Sequence, residues 1–421
     1  MNKLIILLPE QIYILRNLEN QDLITDIEQY SIYYKNLLYP YREEFDIQIR
    51  CQYGTNLGNL WRIDKFPQGV EKFPLTVVVY DYFGEKLAEK TCTINIIKKS
   101  DRKLIKLLCI GDSMTRCGTY VETVANKISG LKTLGTRHIG SVNHEGRGGW
   151  RCSSYFKDYD NKQNMGVSPF LFPKGMQAKQ YYGNKQFYDV LSQGGGNGYG
   201  YRGIEYQEIE EDMYYYDEDM LVHTGRGNKI ENPEFEFSFS KYLERFSIET
   251  PDVVSILFGA NEFQLCSYEN LEKELESYLD YIDAMVWSIR QVDERIAIII
   301  NLPVIGSDQY SWGVQLGCSS SAKQYEYCIK RACEALIRKY DGRQQERLYI
   351  CPMVLACSPE TGFRKIASLE NMYTDVLIER GSNWVHPCNV GYMQMGVALA
   401  GVVEGAMSDI AGFAIQNDQA D

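Results

Sequence analysis

The sequence predicts an α/β protein in which a parallel sheet, covered by helices on both faces, follows a small all-β sandwich. Two observations carry this. From about residue 103, continuous apolar runs alternate with longer stretches of helical period, the pattern of strands buried on both faces and joined by crossover helices. Before that point the runs are short or alternating, with polar and Gly/Pro turns between them and no long helical period, as in a sandwich.

The elements follow in order. "LIILL" near the N-terminus reads as a first strand, because Pro9 and Glu10 interrupt it and no small-residue cleavage site follows. It is too short for a secretory core or a membrane span. "FDIQIRCQY", "LTVVVYDYF" and "KTCTINIIKK" complete the β region, residues 1–102, which "NIIKKSDRK" leads out of as a charged linker. The second region, residues 103–408, opens with the strand "KLIKLLCIGDS" and the helix "TYVETVANKISGL". "PDVVSILFGANE", "RIAIIINLPVI" and "RLYICPMVL" are further buried strands. The helices "YENLEKELESYLDYIDAMVWSIRQ", "SSAKQYEYCIKRACEALIRKY" and "VGYMQMGVALAGVVEGAM" cover them. An insertion at about 151–250, rich in Gly, Tyr and acidic residues, is long enough to be a functional loop. Residues 409–421 read as a polar tail.

The charge balance narrows the partners. Over 421 residues, 44 Lys and Arg face 56 Asp and Glu, a net charge of -12. Nucleic acid is therefore not an expected partner, since phosphate backbones require a basic face. No segment approaches membrane-spanning length, so a membrane is not expected either. Twelve cysteines show no CxxC pair, and several lie in apolar runs, such as Cys109 and Cys351. Free buried thiols and a cytoplasmic protein are the expectation. Four histidines, His138, His144, His223 and His386, make a multi-histidine metal site improbable, and no cofactor is expected.

In an open parallel sheet, ligands gather beyond the carboxyl ends of the strands. Four features fall there: Ser113 in "CIGDSMT", Gly146 in "NHEGRGGW", Asn261 in "FGANEF", and His386 in "NWVHPCNVGY". Together they suit acyl transfer. A serine nucleophile needs a base within hydrogen-bond reach, and the developing oxyanion needs donors aimed at it in advance. Ser113 at a strand-to-helix turn supplies the hydroxyl and a backbone N–H, Gly146 allows a second N–H to approach closely, and the Asn261 amide supplies a third.

The order GDS, Gly, Gly-x-Asn and His-Pro resembles the SGNH (GDSL-type) hydrolases. The resemblance covers roughly 103–408. It implies a flavodoxin-like three-layer α/β/α sandwich with a mostly parallel five-stranded sheet, Ser113 as nucleophile, His386 as general base, and an oxyanion hole of Ser113, Gly146 and Asn261. "HEGRGGW" after a β region is similar to the carbohydrate-esterase members, which implies an acetylated oligosaccharide or polysaccharide fragment as substrate. Trp150, Asp112, Glu262 and Trp384 are the residues expected to contact it, Trp150 as a wall of the acyl pocket. The oligomeric state stays open, a homo-oligomer included.

Two departures matter. Glu262 stands where the family usually has Asp after the Asn. Asn383 stands where the family's Asp-x-x-His places the carboxylate of the triad. Three readings of Asn383 compete. Its side-chain oxygen accepts the imidazole N–H, as in Cys-His-Asn proteases; or a backbone carbonyl does, leaving a Ser-His dyad; or activity is lost and the protein only binds. The 32 tyrosines, among them Tyr155, Tyr181, Tyr182, Tyr199, Tyr201, Tyr206 and Tyr214 to Tyr216 in the insertion, suit sugar rings, though each is equally suited to packing. A lipase or thioesterase, and a carbohydrate-binding protein on a decayed hydrolase fold, are the alternatives.

Overall fold

The computed structural model describes residues 4–16, 29–98, 104–157, 168–184 and 213–418. In the N-terminal region, β1 (Gln11–Arg16), β2 (Asp46–Cys51), β3 (Lys72–Tyr80) and β4 (Lys86–Lys98) form a sheet in the order β1-β4-β3-β2. Strand β3 shows why it forms: Phe73, Leu75, Val77 and Val79 alternate onto one face and are buried, the period-2 signature of a half-buried strand. A three-stranded sheet of Tyr30–Tyr33, Leu60–Ile63 and Thr55–Asn56 and the pair Ile5–Ile6 with Leu38–Tyr39 complete the region.

The second region is built on one sheet of seven strands, two more than the resemblance implies. They are β5 (Ile105–Gly111), β6 (Leu131–Leu134), β7 (Arg137–Ile139), β8 (Val142–Gly146), β9 (Val253–Leu257), β10 (Ala297–Asn301) and β11 (Leu348–Cys351). The order is β7-β8-β5-β9-β10-β11, and β6 also pairs with β5. All pairings are parallel except β7 with β8. β6 lies along the first half of β5, from Ile105 to Leu108, and β8 takes over at Ile110 and Gly111. β9, β10 and β11 are buried at every position, as strands covered on both faces must be.

The helices that position the site are α1 (Ser113–Arg116), α2 (Thr119–Lys127), α3 (Ala260–Phe263), α4 (Leu271–Arg290), α5 (Gln309–Leu316), α6 (Ala322–Tyr340) and α7 (Asn389–Asp418). α4 buries Leu271, Leu275, Tyr278, Ile282, Met285 and Ile289, steps of three and four that keep one stripe on the core. α6 begins where the Ser321 hydroxyl accepts from the Gln324 N–H, an N-cap. α7 runs past 409 to Asp418, through most of the expected polar tail. Contrary to the sequence expectation, its Asn389–Asp409 part is long and apolar enough to cross a membrane, but 78% of its most apolar window is buried inside the protein, where it packs on α2 and β1. A helix apolar all round is what a core position demands.

The two regions interlock. Asn36, fully buried, donates from Nδ2 to the carbonyls of Val354 (2.7 Å) and Cys357 (2.8 Å), and the Lys330 ammonium donates to the Lys35 carbonyl at 2.6 Å. All twelve cysteines are free. The described parts of the 151–250 insertion are folded rather than a loop: Leu171–Pro173 pairs with Phe235–Phe237, and four short strands between Tyr181 and Glu231 form a further sheet. Tyr155, Tyr181 and Tyr216 are buried in its packing, so these three are not faces open to a sugar. Tyr199, Tyr201 and Tyr206 lie outside the described residues, as does the Tyr182 side chain.

Candidate active site

The chain crosses from one side of β5 to the other between β8 and β9, and the carboxyl ends of these three strands frame a crevice. β5 ends at Gly111, and Asp112 turns the chain into α1 by accepting the Met114 N–H on Oδ1 at 2.9 Å. This cap leaves Ser113 half-buried at the head of a single helical turn. Its Oγ lies 2.7 Å from His386 Nε2. Asp112 itself is buried, and burial pushes its carboxyl up to about 8. It is a structural cap below the surface, not the substrate contact expected.

β8 runs alongside so that Gly146 is the register partner of Gly111. A Cβ at Gly146 would lie 2.2 Å from the Arg116 nitrogen, so only glycine lets the Ser113 turn approach this strand. The Gly146 N–H donates to His144 Nδ1 at 3.0 Å and is therefore not available to an oxyanion. That corrects the donor role expected for Gly146: its contribution is the close approach. His144 is buried, and burial with the nearby Arg137 and Arg147 charges lowers it to about 3, so the ring stays neutral and Nδ1 can accept. It orders this loop, as its position beside the glycines suggests.

Past Gly146 the loop turns at Gly149, whose φ is 77°. Among the described residues, the N–H groups of Gly148 and Gly149 make no hydrogen bond within the protein. The Trp150 ring, expected as a pocket wall, is buried edge-on to Tyr155 at 5.0 Å and beneath the Arg147 guanidinium at 5.2 Å. Its size and apolarity are used by the core; its carbonyl is what reaches the crevice, accepting from Asn261 Nδ2 at 2.8 Å. The Tyr155 hydroxyl, whose role the sequence does not reveal, shares its one proton between the carbonyls of Gly111 (2.9 Å) and Glu145, joining the ends of β5 and β8.

β9 delivers Asn261 on the short helix α3 after Gly259. With one Nδ2 hydrogen on Trp150 and Oδ1 accepting from Gln264 Nε2 at 3.4 Å, the amide is oriented and keeps a second donor. Glu262 is buried, with Oε1 accepting from Cys152 N (2.6 Å) and Oε2 from Gly259 N (3.0 Å). Burial raises its carboxyl to about 7. It staples the β8 loop to the β9 turn and does not face substrate, which corrects the contact expected of it.

His386 arrives by a different route. A hairpin of β12 (Lys365–Leu369) and β13 (Leu377–Gly381) returns the chain to the crevice. Gly381 N donates to Asp308 Oδ2 at 2.6 Å, Ser307 N to the Trp384 carbonyl at 2.9 Å, and Cys388 N to the Gly362 carbonyl at 2.8 Å. The half-buried Trp384 ring packs edge-on to Trp312 at 4.9 Å. Asn383 Oδ1 accepts the backbone N–H groups of Val385 (3.1 Å) and His386 (2.9 Å), an Asx turn. Its oxygen therefore holds the loop, not the ring, and the reading in which it accepts the imidazole N–H does not match the geometry. Among the described residues, the hydrogen bonds of His386 are that backbone N–H and Nε2 with Ser113 Oγ. Burial and the Arg116 charge lower the His386 ring below its ordinary value, which keeps it neutral. A neutral imidazole touching a serine hydroxyl can take its proton, and an oriented amide such as that of Asn261, on the turn after the neighbouring strand β9, can stabilise an oxyanion.

No family model and no curated protein matches the chain. Among solved structures it is similar to a possible lipase from Chitinophaga pinensis DSM 2588, at 11% identity and a TM-score of 0.30, over 71% of this chain and 97% of that one. A second solved structure aligns at 12% identity and a TM-score of 0.29, over 72% and 96% of the two chains.

Proposed function

We propose that the protein is a serine ester hydrolase of SGNH type that removes acetyl groups from an O-acetylated carbohydrate. The observation that carries the hydrolase reading is the 2.7 Å contact between Ser113 Oγ and His386 Nε2, joining residues 273 apart in sequence at the carboxyl edge of the sheet. In this reading Ser113 Oγ attacks the ester carbonyl carbon as His386 Nε2 takes the hydroxyl proton. The oxyanion is held by Asn261 Nδ2, the Ser113 N–H and a loop N–H from Gly148 or Gly149. His386 returns the proton to the departing sugar oxygen as the C–O bond breaks. Water, deprotonated by His386, then attacks the acetyl-enzyme, and acetate leaves with Ser113 restored. Among the described residues no carboxylate hydrogen-bonds the imidazole, so in this reading the unit is a dyad.

The acetyl-carbohydrate assignment rests on the likeness of "HEGRGGW" to carbohydrate esterases. The test is acetate release from a panel of acetylated glycans with Ser113→Ala as control: release that the variant abolishes is expected, and unchanged release by the variant would sink the nucleophile. Sugar binding without release at any enzyme concentration would leave a binding protein on a hydrolase scaffold. One observation favours a second reading, a lipase or thioesterase. The hairpin leading to His386 exposes Met372 (82%), Tyr373 (87%), Val376 and Leu377, an apolar tip suited to longer acyl chains. Rates on acetyl and octanoyl esters separate the two, because a deacetylase loses rate as the chain lengthens.

A further inference from the structure

Arg116 is the last residue of α1, three positions after Ser113, and residues so spaced on a helical turn are neighbours. Its guanidinium is exposed and lies over Gly148: a Cβ there would come within 2.4 Å of Nη1. The glycine thus leaves a seat for the cation on the rim between the nucleophile turn and the β8 loop. In a chain of net charge -12, Arg116 has no carboxylate partner among the described residues, whereas Arg151 of the same loop pairs with Glu274 at 3.3 Å. The acids next to the site residues are buried and engaged elsewhere: Asp112 Oδ1 and both Glu262 oxygens accept backbone N–H groups, and Glu145 pairs with Arg147. The Arg116 backbone and guanidinium both abut the β8 loop, at Gly146 and Gly148, and its charge adds to burial in lowering the His386 ring.

We propose that Arg116 determines the charge specificity of the site by binding a carboxylate of the substrate while the ester carbonyl meets Ser113. A planar guanidinium matches a carboxylate in two-pronged geometry, and at a crevice rim it also steers anions inward. The carboxylate belongs either to a uronic-acid sugar or to a dicarboxylic acyl group; the chemistry at Arg116 is the same.

The inference rests on the esterase reading, and the experiment separates the two. kcat/KM is compared for an O-acetylated methyl glucuronoside against the matched glucoside, and for p-nitrophenyl hemisuccinate against p-nitrophenyl butyrate. Wild type should prefer the charged member of one pair by about tenfold, and the preference should shrink with added salt. Arg116→Gln should bring that ratio close to one, and Arg116→Lys should restore part of it. Removing the cation should also move the acid limb of the pH profile upward, since Arg116 holds His386 low; a purely structural residue would not move it. No charge preference in either pair, or a ratio unchanged in Arg116→Gln, overturns the inference and leaves the esterase intact. Calorimetry of methyl glucuronoside against methyl glucoside on Ser113→Ala protein covers the other case. Arg116-dependent binding without any ester turnover would retire the esterase and keep the anion site.

Discussion

Ser113 and His386 meet across one hydrogen bond, yet the chain delivers them by different means. Ser113 stands two residues past β5, and Asn261 four past β9, so the parallel ladder itself sets their spacing. Two buried carboxylates, Asp112 and Glu262, then fasten the turns by accepting backbone N–H groups. His386 has no strand of the parallel sheet behind it; it follows the separate β12–β13 hairpin. Its loop is tied by single hydrogen bonds to Asp308, Ser307 and Gly362, and the 353–362 segment beneath is tied in turn to Asn36 of the N-terminal region. Damage at the Ser113 and Asn261 turns should therefore register in folding and in the proposed oxyanion stabilisation together. Damage to the histidine half should register in turnover, even from far away.

The largest expected effect is on the nucleophile half. Asn261→Ala removes the oriented amide proposed as an oxyanion donor and should lower kcat by about 10²–10³-fold with little change in KM; steady-state kinetics on p-nitrophenyl acetate measure it. A KM effect alone would show that the amide binds ground state and transition state equally. Next, Glu262→Ala leaves the Cys152 and Gly259 N–H groups buried without acceptors and should lower unfolding free energy by about 2–4 kcal/mol, read by denaturant titration. Asn36→Ala is the matching test on the other half. Two carbonyls lose their donor, which should weaken the fold by about 1–3 kcal/mol and also lower kcat, although Asn36 lies on the one-turn helix Tyr34–Leu37 of the N-terminal region. Unchanged kcat would break the link between the N-terminal region and the histidine loop.

The smaller effects sharpen the contrast. Because burial and Arg116 hold His386 below the ordinary imidazole value of about 6.5, the neutral base persists as pH falls. The acid limb of kcat/KM should therefore inflect below 6.5, and an inflection above it would mean that a carboxylate supports the ring. Smallest of all is Asn383→Asp. Either side chain can accept the Val385 and His386 N–H groups, so activity should stay within about fivefold. A hundredfold gain would show that position 383 contacts the imidazole after all.

Much of this was legible in the sequence, and the limits have physical reasons. Buried strands advertise themselves as apolar runs, so the β5, β9, β10 and β11 positions were readable, as was the order of the four motif blocks. β6 and β7 were not, because "LKTL" and "RHI" are short and half polar. The direction of an N–H in a glycine-rich loop leaves no mark in composition, which is why Gly146 was read as a donor when its N–H is committed to His144. Trp150 and Glu262 were read as facing substrate because a residue next to a motif can point either way. Asn383 is the instructive case: Asn-x-x-His is both a triad spacing and an Asx turn, and the two spacings coincide. The backbone N–H groups two and three residues on were the signal that distinguishes them.

In the proposed mechanism Ser113 is activated by His386 alone among the histidines. Intact-mass and peptide analysis after exposure to a fluorophosphonate tests it most directly, because such reagents trap only an activated serine. A single adduct on Ser113 is expected in the native sequence, and none in His386→Ala at equal exposure. Labelling at another residue, or labelling of Ser113 that persists without His386, would contradict it.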